Sequence, residues 1–275
     1  MVLLVTSASG ANGSGYGKLL AFDPDGEALG PFSEDARIVD PRGLGVFGSL
    51  VFVNSGSDRI LALDGKGRVA RETGAIPGLN PGGGNFGPDG RYYVGLRAAR
   101  TIMAFAPTLD GSGEAALPSA VVPFPRGFAF GDDGTLFLAS GIGPGGEGDN
   151  AILAFGPEGT INSSWKVQDP VLSPLDLTIA PNGNVIVSSE RPFGAPDAMT
   201  TIREYDRSDG RLVRVFAPDR GTEFRKPRGL RFGPDGELYC VAQDEVVAFD
   251  FATGKSLGPV VRLPGLNGQA VIFFG

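Results

Sequence analysis

The chain is 275 residues long and acidic, with 31 Asp and Glu against 24 Lys and Arg. No basic run exceeds Arg225-Lys226 with nearby Arg228, so it lacks the phosphate-neutralising surface of a nucleic-acid binder. It has no histidine, which excludes Ser-His-Asp and Cys-His catalysis, histidine-ligated zinc and imidazole acid–base chemistry, and no stretch approaches the 18 apolar residues of a membrane span.

The chain opens on Val2-Leu-Leu-Val-Thr-Ser7, a strand too short, and too poor in flanking basic residues and cleavage signal, to be a secretory leader. The compartment is left open. Lys18-Leu-Leu-Ala-Phe-Asp23 and Glu27-Ala-Leu-Gly-Pro-Phe32 read as two further strands. A module then recurs at 40- to 53-residue spacing, its copies starting at Arg42, Gly82, Arg126, Leu175 and Arg228. Within each copy an inner strand A is followed by a turn, a strand B and a strand C. Strand B is Leu50–Val53, Tyr92–Gly95, Thr135–Leu138, Asn184–Ser188 and Glu237–Val241 in turn, and strand C is Arg59–Asp64, Thr101–Phe105, Ala151–Phe155, Thr201–Asp206 and Glu245–Asp250. The last full copy shows all four strands: Gly229–Gly233, a Pro234-Asp-Gly turn, Glu237–Val241, Glu245–Asp250 and Ser256–Val261. The 44 glycines and 22 prolines make up about a quarter of the chain, but the glycines recur at regular turn positions between apolar strands, so they read as punctuation instead of disorder. The chain closes on Ala270-Val-Ile-Phe-Phe-Gly275, half a copy.

A repeat of this length built from short strands predicts an all-β, six-bladed β-propeller with four antiparallel strands per blade. The half copy at 269–274 is expected to supply strand A to the strands at 2–7, 18–23 and 27–32. One domain over 1–275 would then close its ring in a blade shared by residues 1–40 and 265–275, leaving no open sheet edge. The lone Cys240 lies inside a strand and is expected to be a small buried residue; it also excludes an intrachain disulfide. Trp165 is expected on an outer strand, packed between blades.

This topology puts the A–B and C–D turns on one face and the D–A and B–C connections on the other. Three long B–C loops, Ser7–Gly17, Gly141–Asn150 and Glu190–Thr200, mark the second face as the functional one. Arg42, Arg126 and Arg228 share one register position, before the Gly that opens strand A. Three guanidiniums there would ring the mouth of the central channel and suit a carboxylate or phosphate; alternatively each pairs with a loop carboxylate such as Asp40. Asp176 takes the place of that Gly in the fourth copy, and Glu190 ends strand B of the same blade. The pair reads as a metal or general-base site, or as a network with arginines. Glu147 and Asp149 offer oxygens for calcium, and Tyr16, Phe193 and Met199 offer apolar cover for the mouth.

The Pro-Arg-Gly-Leu…Phe-Gly-Pro-Asp-Gly…Leu-Tyr pattern around Arg228, and Asn54-Ser-Gly-Ser-Asp-Arg-Ile-Leu-Ala-Leu-Asp64, resemble the NHL-repeat propellers along the whole chain. The likeness extends distantly to gluconolactonase-like, virginiamycin B lyase-like and strictosidine synthase-like propellers. It implies a six-bladed propeller; the arginines and long loops then point to binding of a small anionic ligand or a protein partner on the long-loop face. The gluconolactonase-like likeness implies, as an alternative, a metal-dependent hydrolase holding calcium or another divalent ion with Asp176, though the Glu- and Asn-bearing parts of that motif have no match. A strictosidine synthase-like enzyme would use Glu190 as its acid–base group. The lyase-type histidines are missing.

Overall fold

The computed structural model describes residues 1–9, 15–77, 79, 81–118, 122–142, 148–169, 171–190, 200–216 and 224–275. These form 24 strands and no helix, in six four-stranded antiparallel sheets. Each sheet is one blade of a six-bladed propeller. The inner strands of blades one to six are Leu44–Phe47, Pro81–Phe86, Pro125–Phe130, Pro174–Ile179, Pro227–Phe232 and Gly268–Phe274. Four of the module copies begin one residue earlier than Gly82, Arg126, Leu175 and Arg228 suggest, because a proline opens the strand. Proline suits a first strand position, where no ladder N–H is required.

Blade six is completed by the termini. Gly268–Phe274 pairs antiparallel with Val2–Ser7, Val271 opposite Val5 and Phe273 opposite Leu3. That register aligns Gln269 with Arg42, Arg126 and Arg228, and Ala270 with the following Gly. In blade three, strands B and C run on to Leu136–Ile142 and Gly148–Phe155, with Ile142 opposite Gly148, so residues 141–142 and 148–150 of the expected loop are strand. Glu147, Phe193 and Met199 lie outside the described residues, as does the side chain of Asp149.

The core lies between blades, not within a single sheet. Six buried clusters fill the six seams; Leu4, Leu44, Val51 and Leu61, for example, join blade six to blade one. Trp165, on the outer strand Ile161–Gln168, is 3% exposed and meets Phe137 edge-on at 4.9 Å in the seam between blades three and four. Cys240 is fully buried, and burial pushes its thiol well above the usual range, so it is packing and not a reactive thiol.

At the axis the inner strands almost touch. A Cβ on Gly229 would stand 2.5 Å from the Ala270 Cα, and one on Gly127 would stand 2.6 Å from the Asp176 Cα. The Arg-Gly step is thus a geometric requirement: the glycine lets neighbouring strands close the ring while the preceding side chain turns to the mouth.

Candidate functional site

Arg42, Arg126, Arg228, Asp176 and Glu190 all line one cavity of about 190 Å³ on the propeller axis, on the face of the D–A and B–C connections. Every blade contributes an inner-strand residue to its wall. The inner strand of blade two contributes Gly82, Gly83 and Gly84, a stretch of wall without side chains. Two further arginines complete the lining, Arg97 and Arg231. Among the described residues the cavity therefore holds five guanidiniums and two carboxylates, inside a chain whose net charge is −7.

Each arginine is held differently. The Arg42 Nη1 donates to Gln269 Oε1, while its backbone is fixed by Asn54: Arg42 N–H donates to Asn54 O at 3.0 Å and Asn54 N–H to Gly43 O at 3.0 Å. Asn54 is itself fully buried and accepts the Tyr92 hydroxyl at 2.9 Å. Asp40, the carboxylate closest in sequence to Arg42, accepts instead from the Ser9 N–H and hydroxyl. Arg126 donates to Pro174 O at 3.2 Å and extends over Gly141, where a Cβ would stand 2.2 Å from its Nε. Arg228 faces Glu190 at 3.7 Å.

Arg231 acts as the floor. It is anchored by its own neighbour's carbonyl, Leu230 O, at 2.6 Å and by Asp176 at 3.4 Å, and it reaches from blade five across the axis toward Gly84 O of blade two at 3.5 Å. Arg97 stands at the end of strand B in blade two, the register position that Glu190 holds in blade four. Its guanidinium lies 5.3 Å from the Phe124 ring centre, and Arg126 lies 5.8 Å from the same ring. The solvent-shielded Arg97 Nε has no hydrogen-bond partner among the described residues.

The charges act on one another. Burial, then the nearby Arg42, Arg126 and Arg228, push Arg97 down to about 9. Burial and Arg228 lower Arg42 against the pull of Asp40. Burial also lowers Arg126, opposed by Glu190 and reinforced by Arg228. All three remain cations at neutral pH. Burial raises the Asp176 carboxyl above its ordinary 3.8, against Arg231 and the backbone N–H groups of Leu230 and Leu177.

Known structures share this architecture. One chain of a nidogen–laminin complex superposes with a TM-score of 0.75 over 98% of this chain and 97% of its own, at 15% identity. A putative gluconolactonase gives 0.68 over 86% and 81%, at 20% identity. Virginiamycin B lyase from Staphylococcus aureus gives 0.62 over 91% and 82%, at 16% identity. These likenesses show the fold alone. No family model matches the chain, and no curated protein matches it.

The metal that a gluconolactonase-like reading implies does not fit these residues. Asp176 Oδ2 accepts the Leu230 N–H at 3.0 Å and stands against Arg231, and the described residues contain no group of three acidic or sulfur ligands around a common point. A dication there would face five guanidiniums. Asp176 and Glu190 do share the cavity, but each is turned to an arginine of blade five.

Two lining arginines escaped the sequence reading. Arg97 was detectable by aligning strand-B ends, since it follows Val94 as Glu190 follows Val187. Arg231 had no such signal, because the other blades carry Gly45, Asn85, Ala129, Thr178 and Ile272 at its position.

Proposed function

We propose that this propeller binds a small anion, a carboxylate or phosphate compound, at the mouth of its central channel. The observation that carries the reading is the excess of three positive charges among the described residues lining a half-buried cavity in an acidic protein. Cations crowded out of water repel one another and lose solvation, and an anion received between them relieves both costs. Arginine's planar donor fork suits oxyanions. The acidic remainder of the surface repels anions elsewhere, so the mouth is the favoured site.

An acidic side chain of a protein partner would meet the same chemistry. A cavity of about 190 Å³ walled by partly buried guanidiniums suits a small molecule better. Nothing in the geometry assigns a nucleophile or an activated water, so no reaction is proposed.

The test is a thermal-shift series at low ionic strength with phosphate, sulfate and small carboxylates. Binding is expected to raise the melting temperature of the native chain and to leave Arg126→Ala, itself still folded, unresponsive. If no anion shifts the native chain, or if Arg126→Ala fails to fold, the site is a structural tie.

A further inference from the structure

On the face of the A–B and C–D turns, blades two and five carry the same element with one reversal of charge. Phe86–Tyr93 and Phe232–Tyr239 are identical except that Arg91 and Tyr92 stand where blade five has Glu237 and Leu238. Both copies build the same frame. Asp89 Oδ1 accepts the Arg91 N–H and Asp235 Oδ1 the Glu237 N–H, each at 3.1 Å. The Tyr93 hydroxyl donates to Asp89 Oδ2 at 2.9 Å, and the Tyr239 hydroxyl to Asp235 Oδ2 at 2.6 Å. Each tyrosine meets a phenylalanine of the next blade edge-on, Tyr93 with Phe130 at 4.7 Å and Tyr239 with Phe273 at 4.8 Å.

Blade two fills its frame with a cation of its own. The Arg91 Nε donates to Asp89 at 2.5 Å and its Nη2 to the Tyr93 hydroxyl at 3.1 Å, with the guanidinium 5.5 Å from the Tyr93 ring centre. Tyr93 is buried beneath it. In blade five Glu237 turns away and accepts the Phe251 N–H at 3.2 Å. Tyr239 is only half-buried, and a cavity of about 190 Å³ lies against it. Leu3, Val260 and Phe273 give that cavity an apolar wall, and Asp23 and Asp235 also line it. Among the described residues neither carboxylate has an ion-pair partner. The Met1 ammonium, also at the cavity, sits beside Gly275, where a Cβ would lie 3.6 Å from it. A carboxylate next to an apolar wall and an uncovered aromatic face suits a cation carried on an apolar stem. The acidic surface draws cations toward it. We infer that this cavity binds a small organic cation, a guanidinium on a short apolar stem. Its head lies against Asp235 and the Tyr239 ring, as Arg91 lies against Asp89 and Tyr93, and its stem along Val260 and Phe273.

Titration calorimetry of the native chain at low ionic strength tests it with n-butylguanidinium and the neutral n-butanol. Butylguanidinium is expected to bind at one site, at least about tenfold more tightly than butanol, the factor that one charge-assisted contact supplies. Glu237→Arg gives blade five the arrangement of blade two and should remove the binding. Glu158→Arg, an equal change of charge on an exposed turn of blade three, should leave it intact. Asp235→Asn keeps an acceptor for the Glu237 N–H and the Tyr239 hydroxyl, and should bring butylguanidinium close to butanol. Either variant decides alone if the other misfolds. Equal binding of the two probes, unchanged binding in Glu237→Arg or Asp235→Asn, or failure of butylguanidinium to bind overturns the inference. Anion binding at the mouth, on the opposite face, can fail without touching this result.

Discussion

The two rims of the propeller treat charge in opposite ways. On the turn rim three arginines each meet a carboxylate. Arg207 bridges to Asp132 and Asp133 at 2.6 and 2.7 Å, Arg91 pairs with Asp89 at 2.5 Å and Glu114 at 3.2 Å, and Arg214 pairs with Glu204 while donating to Phe251 O at 2.6 Å. At the channel mouth five arginines share two carboxylates among the described residues. A fold that balances one rim has the means to balance the other. The excess of guanidiniums over carboxylates among the described residues of the mouth is of the kind found where a site is shaped for something other than stability.

Breaking the ring should disturb both rims at once. Deleting residues 268–275 removes the inner strand of blade six and half of the Val2–Ser7 pairing. The expected outcome is loss of the cooperative unfolding transition in a calorimetric scan; a native-like transition would mean that the terminal strands do not close the ring.

On the turn rim, Arg214→Ala strips an ion pair from Glu204, whose side chain is 1% exposed. Denaturant unfolding at neutral pH should show a loss of about 2 kcal/mol, the scale of a charge-assisted hydrogen bond. Burial alone would raise the Glu204 carboxyl, but hydrogen bonds from Asn182 and Asn184 and the pair with Arg214 outweigh it and hold the group below its ordinary 4.5. Its contribution is therefore whole above that value and lost as pH falls through the lower folded value. The gap between native chain and variant should close in the same acid range.

At the mouth the sign should reverse. Arg97→Met exchanges a buried, mutually repelled cation for an apolar side chain of similar length, so unfolding free energy should stay level or rise by about 1 kcal/mol. The same variant should lose its thermal response to anions. A loss of stability as large as that of Arg214→Ala would erase the contrast between rims.

The smallest effect is expected at Asp176. Its carboxyl is raised on folding, so the native chain gives up stability as pH rises from 3.8 through the folded value. Asp176→Asn keeps an acceptor for the Leu230 N–H and removes the charge. Melting temperatures between pH 4 and 7 should show the variant gaining on the native chain as pH rises.

Much of this was legible in the chain itself, and the reason is repetition. Each blade solves the same packing problem, so the Arg-Gly step at 42, 126 and 228 announces both the strand register and the side chains that turn to the mouth. Asp176 stood out because it breaks that step, and Glu190 because it ends a strand beside it. What the repeat could not show is partnership across the axis. Nothing near Asp176 in sequence points to Arg231, 55 residues away, and the pairing of Arg42 with Gln269 depends on a register that only the Val271–Val5 alignment sets. The loop carboxylate Asp40 looked like the natural partner of Arg42, yet Ser9 from the opposite end of the split blade reaches it first.

The most direct measurement is a high-resolution crystal structure grown with phosphate. Density for one anion is expected in the mouth cavity, held by guanidiniums among Arg42, Arg126 and Arg228. A mouth filled by water alone would contradict the anion site itself.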